Sequence, residues 1–458
     1  MARLTRSALT RNVLKAMGTF GGLQIVQILC GAVRVKLVAI WLGAAGVGLF
    51  SIFNNAITML TTVSQLGMGQ TAVRDMAAAT SGHDSRRVGL VAAVIRRWGL
   101  ILGMAGFALT VFLSPFLARF TFGNYSSTWA FALLGIVVMM QIITASRQAV
   151  MRGIGRLNAL ARAIFIGVGG GLAISIPMFY YWRMGSILPS IIAYAAFALI
   201  ATGWYSRRSC SGLPRVSPGI GETWNIGRDF LRLGLFMTVA DASTQLLNYA
   251  FVAWLNGAAS TAEVGIYQSG YTIVSRYVGM VFTAIGVEYY PRLATVANRN
   301  DRLRVFVSHE IRLLMLILLP VLPICIPMMP FVVRLLYSHA FLPAIPMIWL
   351  ALPGMVLRGL SWSMAFVILA KGDGRTYLIT EILSSAVGLL LNILGYRWMG
   401  LAGLGISFTV WYAIYSLLIA AVYHYRYRLT IARPVILLSL ITFLIITIAS
   451  VVAYICFA

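Results

Sequence analysis

The chain has 458 residues, of which 60% are hydrophobic and only 10% charged, and its mean hydropathy is +0.88. Soluble domains carry about a quarter charged residues, so a soluble fold is excluded, and the ten-residue alternation of a membrane β-barrel is missing. The net charge of +25 then belongs to loops held on the cytoplasmic side of a bilayer, not to a nucleic-acid surface.

Apolar runs of span length recur from end to end. They predict membrane helices over 19–42, 48–70, 98–120, 127–148, 161–182, 187–205, 231–255, 264–289, 312–336, 344–369, 377–396 and 401–423, with an additional one over 434–457. In the first, Gln24, Gln27, Gly31 and Arg34 recur at steps of three or four and share a face. Lys36 lies about 200° round the helix from Arg34, near the outer end, where its stem reaches the headgroups. Arg34 is therefore the candidate for function and Lys36 an anchor.

The second span carries Ser51, Asn54, Asn55, Thr58, Thr61, Thr62 and Gln65. Gly167 to Gly171 in the fifth permit close helix packing. The seventh has Thr238, Asp241, Gln245 and Asn248, and the eighth has Gln268, Thr272 and Arg276. Pro320, Pro323, Pro327 and Pro330 crowd the ninth and are expected to break or kink it. The tenth has Arg358 with Ser361, and the eleventh has Glu381, Ser384, Ser385, Gly388 and Asn392. Polar side chains at this depth face the bundle interior or a wet cavity, or serve as hydrogen-bonding glue between helices. Tyr249, Tyr267 and Tyr271 fit core packing better than sugar stacking. Cys30, Cys210, Cys325 and Cys456 lie far apart, without metal spacing, and read as small apolar residues.

With the N-terminus in the cytoplasm, 28 of the 36 Lys and Arg fall in cytoplasmic segments and four outside, a bias that sets the expected orientation. The remaining four are Arg34, Lys36, Arg276 and Arg358, within spans. The deep arginines outnumber mid-membrane Asp241, so the polar spans should attract an anion. Arg suits phosphate because its planar fork meets two oxygens at once.

The sequence also repeats. VAIWLG at 38–43 returns as VAWLNG at 252–257, VGLF at 47–50 as VGIY at 264–267, Arg74 as Arg292, and GIGR at 153–156 as GDGR at 372–375. The order and near-constant offset indicate two six-helix halves in parallel orientation, a transporter-like organisation. No P-loop, HExxH motif, carboxylate pair or metal cluster is present, so enzyme chemistry is not expected.

The stretch WLGAAGVGLFSIFNNAITMLTTVSQLGMGQTAVRDMA, 41–77, and the loop MRGIGRLNALA, 151–161, resemble the Wzx-type polysaccharide and O-antigen flippases. These form the polysaccharide transporter family of the multidrug/oligosaccharidyl-lipid/polysaccharide exporter superfamily. The resemblance in layout covers roughly residues 15–425. It implies two six-helix lobes that alternate access and a cation-lined cavity. The implied cargo is undecaprenyl-pyrophosphate-linked oligosaccharide, moved from the cytoplasmic to the periplasmic leaflet of a bacterial inner membrane for O-antigen, capsule or exopolysaccharide. It also implies coupling to a proton or sodium gradient with no bound cofactor, and a polysaccharide polymerase and chain-length regulator as partners.

The combined expectation is an all-α polytopic membrane protein of two pseudo-symmetric six-helix bundles plus an extra C-terminal span. The N-terminal lobe takes residues 1–205, a cytoplasmic linker 206–230, the C-terminal lobe 231–425, and a basic linker with the additional helix 426–458. Arg34, Arg276 and Arg358, with Gln27, Asn54, Asn55, Gln245, Asn248 and Gln268, are the candidate substrate-binding residues. Asp241 and Glu381 are the candidate ion-coupling carboxylates. The competing readings are a multidrug exporter, which wants acidic cavities, a lipid II flippase, and a membrane glycan polymerase, which needs a large periplasmic loop.

Overall fold

A computed structural model describes residues 2–82, 84–212, 214 and 216–457, without the side chains of 2–25, 70, 220, 225–227, 229–237, 283–284, 287–288, 290–291 and 457. The side chain of Gln24 therefore lies outside the described residues. Helix makes up 91% of the chain, and no strand occurs among the described residues. Among the described residues, eight helical stretches are long and apolar enough to cross a membrane. The protein is an integral, polytopic, all-α membrane protein of two helical lobes.

Several of those stretches are folded in two. Val26–Gln65 would be about 60 Å long if straight, twice a bilayer's hydrocarbon core. It breaks at Gly43, whose φ of 67° and ψ of −164° leave the helical region. The helix before the break is α1 (2–42) and the helix after it is α2 (44–65). Arg34 and Phe50 would be about 24 Å apart on a straight helix, yet the guanidinium lies 4.9 Å from the ring, so the chain doubles back.

The succeeding helices are α3 (Met68–Ser81), α4 (Ser85–Phe122), α5 (Thr128–Gly153), α6 (Leu157–Trp182) and α7 (Ile187–Ser209). The glycines of α6 do pack closely: Gly170 faces Phe197 and Gly171 faces Tyr194 on α7. Next come α8 (Ile220–Ala258), α9 (Thr261–Thr272), a π-helical turn Ile273–Val278, and α10 (Met280–Val296). After these, α11 (Asn300–Leu336) and α12 (Ile345–Ala370) lead to a second folded stretch. It turns at Met399 and Gly400 into α13 (374–398) and α14 (401–421), and Ser407 Oγ reaches the Leu391 carbonyl at 2.7 Å.

The final helix, α15 (Arg433–Phe457), packs on α11 and α12. Val435, Ser439, Thr442, Ile446, Ser450 and Ala453 are its buried residues, at steps of three or four, so one face of small and polar side chains docks.

Of the break or kink expected from its prolines, the ninth predicted span shows no break. α11 runs unbroken through Pro320, Pro323, Pro327 and Pro330. Each proline removes a backbone N–H and frees the carbonyl four residues earlier. For Pro330 that carbonyl is Ile326, and Trp349 Nε1 of α12 donates to it at 2.9 Å. A neighbouring helix thus supplies the lost donor, as tolerated prolines in membrane helices require.

The chain divides into two compact units, Met1–Leu42 with Leu49–Gln245, and Gly43–Gly48 with Leu246–Ala458. The repeat is visible in the backbone, with one correction of register. Letter matching pairs Gly153 with Gly372. The dihedrals pair Gly155 (φ 72°) with Gly372 (φ 73°). The same shift pairs Arg156 N→Met151 O with Asp373 N→Ile368 O, at 3.0 and 3.1 Å. Gly153 is instead an ordinary helical residue, packed on Met76. Arg156 in the first half therefore corresponds to Asp373 in the second.

Candidate functional site

In the second unit, α12, α13 and α14 line a half-open cavity of about 260 Å3. α12 presents Arg358, Ser361, Trp362, Ala365, Phe366 and Leu369 to it, a spacing that forms one stripe of a helix. α13 adds Tyr377 and Glu381, four apart, and α14 adds Tyr412 and Tyr415, three apart. Tyr415 Oη donates to Glu381 Oε1. The Arg358 guanidinium lies 5.6 Å from the Tyr412 ring and 5.7 Å from Phe282 of α10, within cation–π range. Hydrogen bonds hold the frame: Ser416 Oγ to the Leu357 carbonyl at 2.8 Å, and Trp411 Nε1 to Ser384 Oγ at 3.0 Å.

Two residues named separately from the sequence, Arg358 and Glu381, thus share one cavity. The aromatic residues around them went unnoticed, although the helical spacing of 358, 361, 362, 365, 366 and 369 was there to read. A guanidinium, a carboxylate and three phenols in one small space can bind an anion, a cation or a proton, depending on which charge is neutralised.

Arg34 is placed differently from the expectation of a cation open to substrate. It is 7% exposed. Its Nη2 donates to the Ser190 carbonyl at 3.0 Å, and its guanidinium lies 4.3 Å from the Tyr194 ring and 4.9 Å from Phe50. Its Nε is buried without a hydrogen-bond partner. The side chain ties α1 to α2 and α7 within the first unit. Gln27, on the same helix, is exposed.

Asn54 and Asn55 donate to carbonyls of their own helix, at Phe50 (2.7 Å) and Ser51 (2.9 Å). Thr61 Oγ1 donates to Gln141 Oε1 of α5 at 3.4 Å, a partner the sequence did not suggest. Much of the α2 polar face is therefore satisfied internally. Gln245, Asn248 and Gln268 are half-buried, Asp241 is exposed, and Arg276 is exposed on the π-helical turn. Among the described residues no ion pair joins Asp241 to Arg34. Tyr249 and Tyr267 are core residues, 2% and 3% exposed, and all four cysteines are free. Among the described residues no group of His, Cys, Asp and Glu could hold a metal ion.

Residues 37–346 match the family model described as polysaccharide biosynthesis protein. The chain belongs to this family. It is 22% identical over 377 residues to the lipid III flippases of Escherichia coli (strain K12) and Shigella flexneri, covering 78% of this chain and 85% of each. In fold, this family member resembles the lipid II flippase MurJ in an inward closed conformation. The TM-score is 0.70 at 15% identity, over 96% of this chain and 97% of that one. It also resembles an inward-facing MATE family multidrug transporter of the MOP superfamily, with a TM-score of 0.69 at 16% identity over 86% and 92%. The family member therefore has the two-lobed helical fold of the MOP superfamily.

Proposed function

We propose that the protein is a flippase for undecaprenyl-pyrophosphate-linked oligosaccharide, moving it by alternating access from the cytoplasmic to the periplasmic leaflet of a bacterial inner membrane. The glycan serves O-antigen, capsule or exopolysaccharide assembly. Family membership and the likeness to lipid III flippases support a lipid-linked saccharide cargo. The observation that carries the reading is the meeting of Arg358 and Glu381 in one aromatic cavity, which suits a cargo with an anionic group.

Magnitude limits what that cavity does. Ligand pockets run from about 300 Å3 upward, so 260 Å3 suits one charged group or one sugar edge, not a whole repeat unit. Arg358 meets the pyrophosphate or an acidic sugar. Glu381 loads a proton or sodium ion, and loading removes the carboxylate's hold on the local positive charge, so that Arg358 is available to the anion. Arg276, Gln245, Asn248 and Gln268 supply further polar contacts, and Asp241 is a second carboxylate for coupling. A polysaccharide polymerase and chain-length regulator act downstream.

The test is a deletion strain in which undecaprenyl-linked repeat units are located by periplasm-restricted labelling of the glycan. Units trapped on the cytoplasmic face support the flippase. Units that reach the periplasm but stay unpolymerised overturn it in favour of a polymerising enzyme.

A further inference from the structure

A second concentration of positive charge lies at the arginine-rich end of the first unit. Arg147 near the end of α5 reaches across to α7. Its Nη1 lies 3.5 Å from the Leu199 carbonyl, and it occupies the space that a Cβ on Gly203 would fill. Arg207 of α7 and Arg96 of α4 are its like-charged neighbours. α4 and α5 touch one turn away, where Ser146 sits on Gly99. Arg96 Nη2 is buried without a hydrogen-bond partner. Among the described residues none of the three has a carboxylate partner.

The repeat sharpens the contrast. In the second half, Asp373 accepts from Arg426 Nε at 2.6 Å and from Tyr427 Oη at 2.9 Å. The corresponding residue in the first half is Arg156, so that position supplies no carboxylate there. Like charges on three neighbouring helices repel one another, and an anion between them relieves that repulsion. Arg guanidinium forks from three helices match the several oxygens of a phosphate.

We propose that Arg96, Arg147 and Arg207 form a phosphate-binding site at the junction of α4, α5 and α7. Charge bias puts it at the cytoplasmic surface of the membrane, at headgroup depth. Its ligand is a phosphate or pyrophosphate group, free or carried on a lipid. The site stands independently of the transport reading, because it is tested by binding alone.

The experiment uses the full chain in phosphatidylcholine nanodiscs and follows thermal unfolding with added inorganic pyrophosphate, then in discs containing phosphatidylglycerol. A ligand that binds only the folded state raises the midpoint by mass action. Wild type should be stabilised. Arg147→Gln and Arg96→Gln should bind about tenfold more weakly or worse, as expected for losing a charge-assisted contact. Arg86→Gln, which removes an exposed cation from α4, should behave as wild type.

Stabilisation by pyrophosphate in both kinds of disc indicates a free or carrier-borne phosphate. Stabilisation by phosphatidylglycerol alone, lost in Arg147→Gln, indicates a lipid headgroup. If a buried variant fails to fold, exposed Arg207→Gln carries the test. An equal response in wild type and Arg207→Gln, or an equal loss in Arg86→Gln, overturns the site.

Discussion

Gly48 and Gly265, equivalent positions of the internal repeat, cross each other without room for a side chain on either. A Cβ on Gly48 would overlap the Thr261 carbonyl and lie 3.1 Å from Gly265 N. One on Gly265 would overlap the Ala44 carbonyl and lie 2.8 Å from Gly48 N. The two environments are the same because Ala44 and Thr261 are equivalent as well. All four residues belong to the second compact unit. Backbone-to-backbone crossings of this kind are what small residues permit in membrane helices.

Gly48→Ala or Gly265→Ala should therefore force the crossing apart, at an overpacking cost of about 1–3 kcal/mol each. The check is the thermal midpoint of purified protein. Gly31→Ala is the control, since nothing lies within 4 Å of its Cβ position. A midpoint for Gly48→Ala equal to that of Gly31→Ala contradicts the packing account.

Trp349 and Pro330 should be energetically coupled. Trp349→Phe removes the donor to the Ile326 carbonyl and leaves it buried and unpaired, at about 1–3 kcal/mol. Pro330→Ala restores a backbone N–H in α11 that can take the same carbonyl. The Trp349→Phe penalty should shrink in the Pro330→Ala background, and a double-mutant cycle on unfolding free energies measures the difference. Strict additivity would show that the indole bond does not compensate for the proline.

Much of the architecture was legible because a bilayer enforces it: length and hydropathy placed the helices, and Gly43 and Gly400 mark where long apolar runs turn back. Three features were not. The α11 prolines suggested a break or a kink, and the sequence does not show that Trp349, 23 residues from Ile326, supplies the donor that Pro330 removes from an unbroken helix. The loop register followed identical letters, whereas the left-handed glycines at 155 and 372 set the true equivalence. Arg34 looked like a cavity residue because spacing gives a face but not what covers it. Phe50, Ser190 and Tyr194 come from elements that only the fold brings together.

Arg34 now carries a sharper test than simple removal. Arg34→Ala should cost stability on the scale of a desolvated cation–π contact, about 2 kcal/mol, plus a charge-assisted hydrogen bond of about 1.5–3 kcal/mol. Arg34→Met keeps the volume and removes the buried charge, so it should be milder. If the residue is an internal tie, Arg34→Met retains glycan export in a complementation assay. Lost export in a stable Arg34→Met protein would restore the reading of Arg34 as a substrate ligand.

The loop after α12 should respond to acid in a defined window. Burial pushes the Asp373 carboxyl up, but bonds from Arg426, Thr376 and Tyr427 outweigh it and hold the carboxyl at about 2, below its ordinary 3.8. A folded-state value below the unfolded one gives stability that is present above about pH 4 and lost as pH falls toward 2. Arg426 is 57% exposed, so the effect is local and small. Amide exchange across 424–429 should be flat from pH 7 to 5 after correction for intrinsic rates. Asp373→Asn should raise it at neutral pH. An unchanged exchange profile in Asp373→Asn would mean that the ion pair does not hold this segment.

The decisive pair is Arg358 and Glu381. If Glu381 loads the coupling ion and Arg358 meets the cargo anion, their substitutions should fail differently. Arg358→Gln should reduce export at every pH, because the anion contact is lost whatever the state of the carboxylate. Glu381→Gln mimics the loaded state permanently. It should still bind anionic cargo but lose the response of transport to an imposed proton or sodium gradient. Tyr415→Phe removes one donor to Glu381 and should shift that response while leaving maximal export near wild type. Reconstituted vesicles carrying a labelled undecaprenyl-pyrophosphate glycan, assayed with and without each gradient, separate the three. Identical loss in Arg358→Gln and Glu381→Gln, with no gradient dependence in wild type, would reduce the cavity to a structural ion cluster. A gradient response that survives Glu381→Gln would move the coupling site elsewhere, with Asp241 the next carboxylate to change.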